Sequence, residues 1–100
     1  MMTKNNYPLG NMVLELGMIH VTRRLTKQFS RCDVNAVLIQ HMTGDWGDVN
    51  ETQWTANDLA IQTGDGQVLS SFIFDDERIL IMTDAERQET ICLLSDEYWE

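Results

Sequence analysis

His41 and Asp45 have the types and spacing that could do chemistry. They stand one helical turn apart in the string His41-Met42-Thr43-Gly44-Asp45-Trp46-Gly47-Asp48. An imidazole titrates near neutrality, and a carboxylate beside it can hold one tautomer and stabilise the cation, which is the general-base half of a hydrolytic site. A second acidic string, Thr83-Asp84-Ala85-Glu86-Arg87, adds oxygen donors. If the fold brought it to the loop, Asp45, Asp84 and Glu86 would suit a hard divalent cation. The residues then read as a small metal-dependent hydrolase or nuclease accessory, although no nucleophile–base motif of fixed spacing accompanies them.

The same residues have plainer roles, and these make the stronger reading. Gly44 and Gly47 allow positive φ on either side of Trp46, so the chain can turn tightly there. Asp45 can accept backbone N–H groups within the loop, and Asp48 can help cap the helix that follows. Trp46 can close the core. His41, one turn beyond Val37 and Leu38, fits a hydrogen-bonded residue at the core edge. Thr83 and Asp84 can cap a turn, with Arg87 paired to an Asp of the 44–48 loop. On this reading Gly44, Asp45, Trp46, Gly47 and Asp48 form a structural loop, and no cofactor is expected.

Two cysteines, Cys32 and Cys92, lie far apart without a CxxC partner, so neither a disulfide nor a zinc site with His20 and His41 is expected. Cys92, within Ile91-Cys92-Leu93-Leu94, reads as core. Charge excludes more. Sixteen acidic residues against seven basic give a net charge of −9. A surface this negative repels nucleic acid and favours a basic protein surface, including one that normally holds nucleic acid. Arg23, Arg24, Lys27 and Arg31 form the one basic cluster, and it reads as the outer face of an amphipathic helix. No apolar run is long enough to span a membrane, and Asn5, Asn6, Pro8 and Gly10 interrupt any signal-peptide core. A cytoplasmic protein is expected, with no membrane partner.

The elements that must position these residues follow from period and punctuation. Residues 12–21 are rich in strand formers, with a bend at Gly17. Thr22 can cap a short helix carrying Leu25 and Phe29. Asp33 reads as the cap of a second helix, with Val34, Val37, Leu38 and His41 on one face and Gly44 as its stop. Asn50 with Gln53 resembles a capping box for a third helix, residues 51–63, ended by Gly64. Trp54 and Ile61 mark one semi-apolar face of it; Ala56, Leu59, Ala60 and Thr63 mark another. Residues 67–74 and 78–83 read as strands of a hairpin joined by Asp75-Asp76-Glu77, and residues 90–94 as a further strand. The expected fold is α+β, a single domain over residues 1–100 with a flexible segment at 1–10. Three short helices pack on a three- to four-stranded, mostly antiparallel sheet. Both faces of the strands are apolar, so the helices leave part of the sheet for a second copy, a partner or the N-terminal segment to cover.

The loop, with Asn57, Ala60, Gly64, Leu69-Ser70-Ser71-Phe72 and Ile81-Met82-Thr83-Asp84-Ala85-Glu86-Arg87, resembles a family of small bacterial mobile-element proteins. These are commonly labelled plasmid-related protein or type I restriction subunit M. Their pattern reads H-x-x-G-D-W-G, then N-x-x-A-x-x-x-G-x-x-L-S-x-Y, then I-T-E-x-D-R-x-x-T, ending in L-L-P-x-E-Y. The chain follows it from Leu16 to Tyr98, departing at Phe72 for Tyr, at Asp84 and Glu86 for Glu and Asp, and at Ser95 for Pro. A methyltransferase subunit would need a cofactor domain much longer than this chain. The resemblance implies a setting on plasmids or phages, where small acidic proteins inhibit host defence as anti-restriction or anti-CRISPR proteins.

Together these readings point to a non-enzymatic interaction protein that masks a basic surface of a host protein. Asp75, Asp76, Glu77, Asp84, Glu86 and Glu89 are expected to supply its charge complement. The alternatives are the hydrolase built on His41 and Asp45 and a homodimeric structural protein using the exposed sheet face.

Overall fold

The computed structural model describes residues 12–98. The segment 1–10, expected to be flexible, lies outside the described residues. The elements run β1 (Met18–Val21), α1 (Arg23–Gln28), α2 (Arg31–Met42), α3 (Glu51–Thr63), β2 (Val68–Phe74), β3 (Glu77–Thr83) and β4 (Glu89–Leu94), followed by a 3₁₀ turn at Ser95–Glu97. The strands form one sheet in the order β1-β4-β3-β2. β2, β3 and β4 are antiparallel neighbours, and β1 joins β4 in parallel. The fold is therefore α+β, with three helices on a four-stranded, mostly antiparallel sheet.

Local chemistry sets the boundaries. Thr22 and Asn50 cap α1 and α3 as their sequence positions imply, each accepting an N–H from the first turn. Gly64 ends α3 in the left-handed conformation, φ 72°. For α2 the cap is Ser30, which accepts from Asp33 N, so Asp33 sits inside the first turn where its charge favours the helix dipole. Asn50 and Gln53 do not make a full capping box: the Gln53 side chain turns down the helix to Asn57 Oδ1, 2.9 Å away. The strand expected from residue 12 begins only at Met18. Gly17 holds φ 63°, and a side chain there would strike the Gln88 carbonyl, so residues 12–17 cross the end of β4 instead of pairing along it.

β2 and β3 are joined by Asp75-Asp76 alone, with φ 49° and 65°, while Glu77 already belongs to β3. Two positive φ values in a two-residue loop match the right-handed twist of the flanking strands. The core lies between the sheet and the helices. Leu14, Leu25, Val37, Trp46, Val68, Ile79, Ile81 and Leu94 are almost wholly buried in it. α3 presents Asn57 and Ala60 to this core, with Trp54 and Ile61 packed against it. Ala56, Leu59 and Thr63 face outward, so the second semi-apolar face is not an interface with the body of the molecule. No helix among the described residues is long and apolar enough to cross a membrane.

Candidate functional site

His41 occupies the middle of the core with no exposed surface. α2 carries it inward beside Val37 and Leu38, and the sheet answers with three hydroxyls on inward-facing strand positions. Nδ1 lies 2.5 Å from Ser70 Oγ on β2, and Nε2 lies 2.9 Å from Thr83 Oγ1 on β3. Thr83 Oγ1 is 2.7 Å from Thr90 Oγ1 on β4, and Thr90 donates to the Leu16 carbonyl at 2.8 Å. That last bond orders the whole chain. Thr90 has spent its one proton on Leu16, so it accepts from Thr83. Thr83 then accepts from the imidazole, which makes Nε2 the protonated nitrogen and leaves Nδ1 to accept from Ser70. Burial, and secondarily the Arg87 cation, push the His41 pKa down to about 3. A neutral imidazole with both nitrogens engaged and no path to solvent has no substrate proton to take.

Asp45 does not orient that imidazole. Its Oδ2 accepts from Gln40 Nε2 at 3.0 Å and its Oδ1 from Gly47 N at 3.1 Å, so it braces the turn. Trp46 is fully buried, meets the His41 ring edge-on at a centroid distance of 5.8 Å, and donates from its indole to Asp58 on α3. Asp48 does not cap α3. It pairs with Arg78 at 3.2 Å, and Arg78 also donates to Ser71 Oγ.

The loop has a further role that its sequence did not reveal. Trp46 to Asp48 lies against the outer edge of β2, where Ser71 N donates to the Trp46 carbonyl and Asp48 N donates to the Ser71 carbonyl. Two residues earlier on the same edge, the Asn57 amide imitates a neighbouring strand. Its Nδ2 donates to the Leu69 carbonyl at 2.7 Å and its Oδ1 accepts Leu69 N at 3.1 Å. The Gly47 backbone, φ 73°, comes so near that a Cβ would collide with the Ser71 carbonyl and the Phe72 ring. The string that looked like an active site is the closure of a sheet edge.

The proposed cation site is not assembled. Asp84 Oδ1 accepts from Gln88 N and Glu89 N in the β3–β4 turn. No group of three or more His, Cys, Asp and Glu side chains among the described residues is placed to share a metal ion. Arg87 does not reach the 44–48 loop either. It donates to the carbonyls of Ala60, Gly66 and Asp84, tying the C-terminal end of α3 and the loop after it to the β3–β4 turn. Cys32 is exposed and Cys92 buried, both as free thiols, and burial pushes the Cys92 thiol up to about 12.

The six carboxylates expected to form one acidic complement fall into two groups. Asp75, Asp76 and Glu77 lie at the hairpin end of β3, and Asp84, Glu86 and Glu89 at the other. Seven residues of strand separate them by about 20 Å at ~3.3 Å per residue. Glu89 also pairs with His20 on β1 at 3.0 Å. Between the groups lies the sheet face turned away from the helices. Alternation from the observed register assigns to it Leu69, Ser71 and Ile73 of β2, Arg78, Leu80 and Met82 of β3, Ile91 and Leu93 of β4, and Met18 and His20 of β1. Ile73 is 52% exposed and Met18 66%. Comparison with protein-family models, with curated proteins and with solved structures returns no match.

Proposed function

We propose that this protein is a non-enzymatic binding protein that covers a basic surface of a partner. One observation supports the reading above the others: the sheet face away from the helices has an apolar stretch bordered by Asp75 and Asp76 at one end and by Asp84 and Glu89 at the other, with Arg78 already paired to Asp48 and His20 to Glu89. An apolar centre gives association energy by removing surface from water, and flanking carboxylates select a partner whose matching positions are cationic. In the mobile-element setting implied by the sequence resemblance, the partner is a nucleic-acid-handling protein of a host defence system. Its phosphate-binding surface has the required charge. The protein acts in the cytoplasm on this reading.

The test uses carboxylates whose side chains accept no hydrogen bond within either hairpin turn, unlike Asp84. Asp75, Asp76, Glu86 and Glu89 are exposed, so changing them to Asn or Gln removes charge while sparing the core. Host extract is passed over immobilised wild-type protein and over the fourfold variant, at low and high salt. The expected result is a partner retained by the wild type at low salt, released by salt and lost from the variant. Equal retention on both proteins refutes charge complementarity. The exposed Ile73 and Met18 also favour a second reading, a homodimer through the same face. Sedimentation at high protein concentration decides it, since a strict monomer excludes the dimer.

A further inference from the structure

The two edges of the sheet are finished differently. The β2 edge is closed at Leu69 by the Asn57 amide and at Ser71 by Trp46 and Asp48. The β1 edge has no such closure among the described residues, where β1 is the terminal strand. Met18 and Thr22 send their N–H groups to the Gln88 and Cys92 carbonyls on the β4 side. Alternation therefore turns the peptide groups of Ile19 and Val21 outward, away from β4. An unpaired strand edge is a template for another strand, and Met18, Ile19 and His20 are exposed along it.

A cavity flanks this edge on each face of the sheet. On the helix side, a cavity of about 460 Å³ is floored by Ile19, Val21, Phe29 and Leu38, with Arg31 and Asn35 also lining it. On the other side, a cavity of about 440 Å³ is bounded by His20, Met82 and Ile91 and by the carboxylates of Asp84 and Glu89. Successive side chains of an added strand point to opposite faces, so neighbouring residues would enter the two cavities in turn. The guanidinium of Arg31 disfavours a cation on the inner side. The two carboxylates favour one on the outer side.

We propose that β1 is a strand-addition site for an extended basic segment of a partner protein, with apolar side chains inward beside Phe29 and Lys or Arg outward beside Asp84 and Glu89. The inference rests on the basic-partner reading above and specifies how such a partner is held. A second copy is a poorer occupant, because two chains of net charge −9 repel and Met18-Ile19-His20-Val21 offers no permanent cation. Residues 1–11 carry Lys4 as their one Lys or Arg, so they too supply little of the required alternation.

The probe is a capped peptide of about eight alternating Val and Lys residues, titrated into the full ¹⁵N-labelled chain at low salt. Controls are the Val–Glu peptide and a Val–Lys peptide N-methylated at every residue, which cannot donate along either edge. The expected result is saturable binding with slowed hydrogen exchange at the Ile19 and Val21 amides. The Val–Glu peptide should bind at least about tenfold more weakly. Ile19→Pro removes one outward donor and should weaken binding by about threefold to tenfold, the effect of one net hydrogen bond. If that variant disturbs β1, the N-methylated peptide tests the pairing from the other side on unaltered protein, because it cannot donate to the outward carbonyls of β1, and its equal binding overturns the proposal. Binding without protection at Ile19 and Val21 also overturns strand addition, while leaving the basic-partner reading intact. Failure of every Lys peptide to bind overturns strand addition, and the fourfold charge variant decides the basic-partner reading separately. Nuclear Overhauser contacts from residues 1–11 to Ile19 and Val21 in the free protein, or protection that grows with protein concentration alone, would assign the edge to another occupant and overturn the proposal.

Discussion

The buried imidazole makes the fold sensitive to acid in a way that can be separated from its many carboxylates. His41 has an ordinary value of 6.5 and a folded value of about 3. The unfolded chain therefore takes up this proton first. The stability contributed by neutral His41 is complete above about pH 6.5 and is lost as pH falls, at about 1.4 kcal/mol per pH unit, until the folded value is reached. Between about pH 7 and about pH 4.5 the loss amounts to about 2.5 kcal/mol. His41→Gln removes the titration while keeping a buried group that both donates and accepts. The assay is urea unfolding of wild type and variant, followed by tryptophan fluorescence, to which buried Trp46 contributes, across that pH range. Carboxylates common to both proteins cancel in the difference. The variant should be less stable at neutral pH, by about 1–3 kcal/mol for a disturbed buried hydrogen-bond chain. The gap should shrink by about 2.5 kcal/mol at the acid end, so the curves converge or cross. A gap independent of pH refutes the reasoning, as does an imidazole NMR titration in the folded protein with its midpoint near the ordinary value.

Two further perturbations separate the structural loop from the acidic surface. Gly47→Ala forces a side chain onto the Ser71 carbonyl at a positive φ and should lift the loop from β2. The expected cost is about 2–4 kcal/mol in urea unfolding, together with concentration-dependent self-association through the uncovered edge. Asp75→Asn with Asp76→Gly supplies the residues that the positive φ values favour, so thermal unfolding should report a gain of about 0.5–1 kcal/mol. The same pair of changes removes two charges, so partner retention at low salt should fall while stability rises; a parallel change in both would mean that the hairpin carboxylates act only through folding.

Much of the fold was legible because its signals were local. Thr22, Asn50 and Gly64 mark helix ends through bonds that reach only a turn away, and the spacing of Val34, Val37, Leu38 and His41 marks the buried face of α2. The cap of α2 was misplaced because both Ser30 and Asp33 are good caps. The geometry of one chain turn decides between them. The site was harder to read because its bonds are distant in sequence: His41 meets Thr83 across 42 residues and Thr90 meets Leu16 across 74. One signal was available. Ser70, Thr83 and Thr90 are polar at inward positions of otherwise apolar strands, and buried hydroxyls require partners. Arg87 misled for a different reason, since charge pairing is the default guess for an arginine and a helix C-terminus made of carbonyls leaves no sequence mark.

The string from His41 to Asp48 works as a single closure device. His41 ties α2 to β2 and β3 through hydroxyls, and Gly44 lets the chain leave the helix at φ 93°. Asp45 stiffens the turn, Trp46 fills the core and fastens to α3 through Asp58, and Gly47 lets the backbone lie on β2. Each residue type is demanded by its position: a two-ended polar ring, a positive φ, a doubly accepting carboxylate, a large ring with one donor, and a backbone without Cβ. A motif so fully used in joining three elements leaves no group over for a substrate. On the reading proposed above, binding falls to surfaces the motif does not touch: the outer sheet face and the edge at β1. A chain that keeps the loop but alters Asp75, Asp76 or Glu89 should keep this fold and lose its partner.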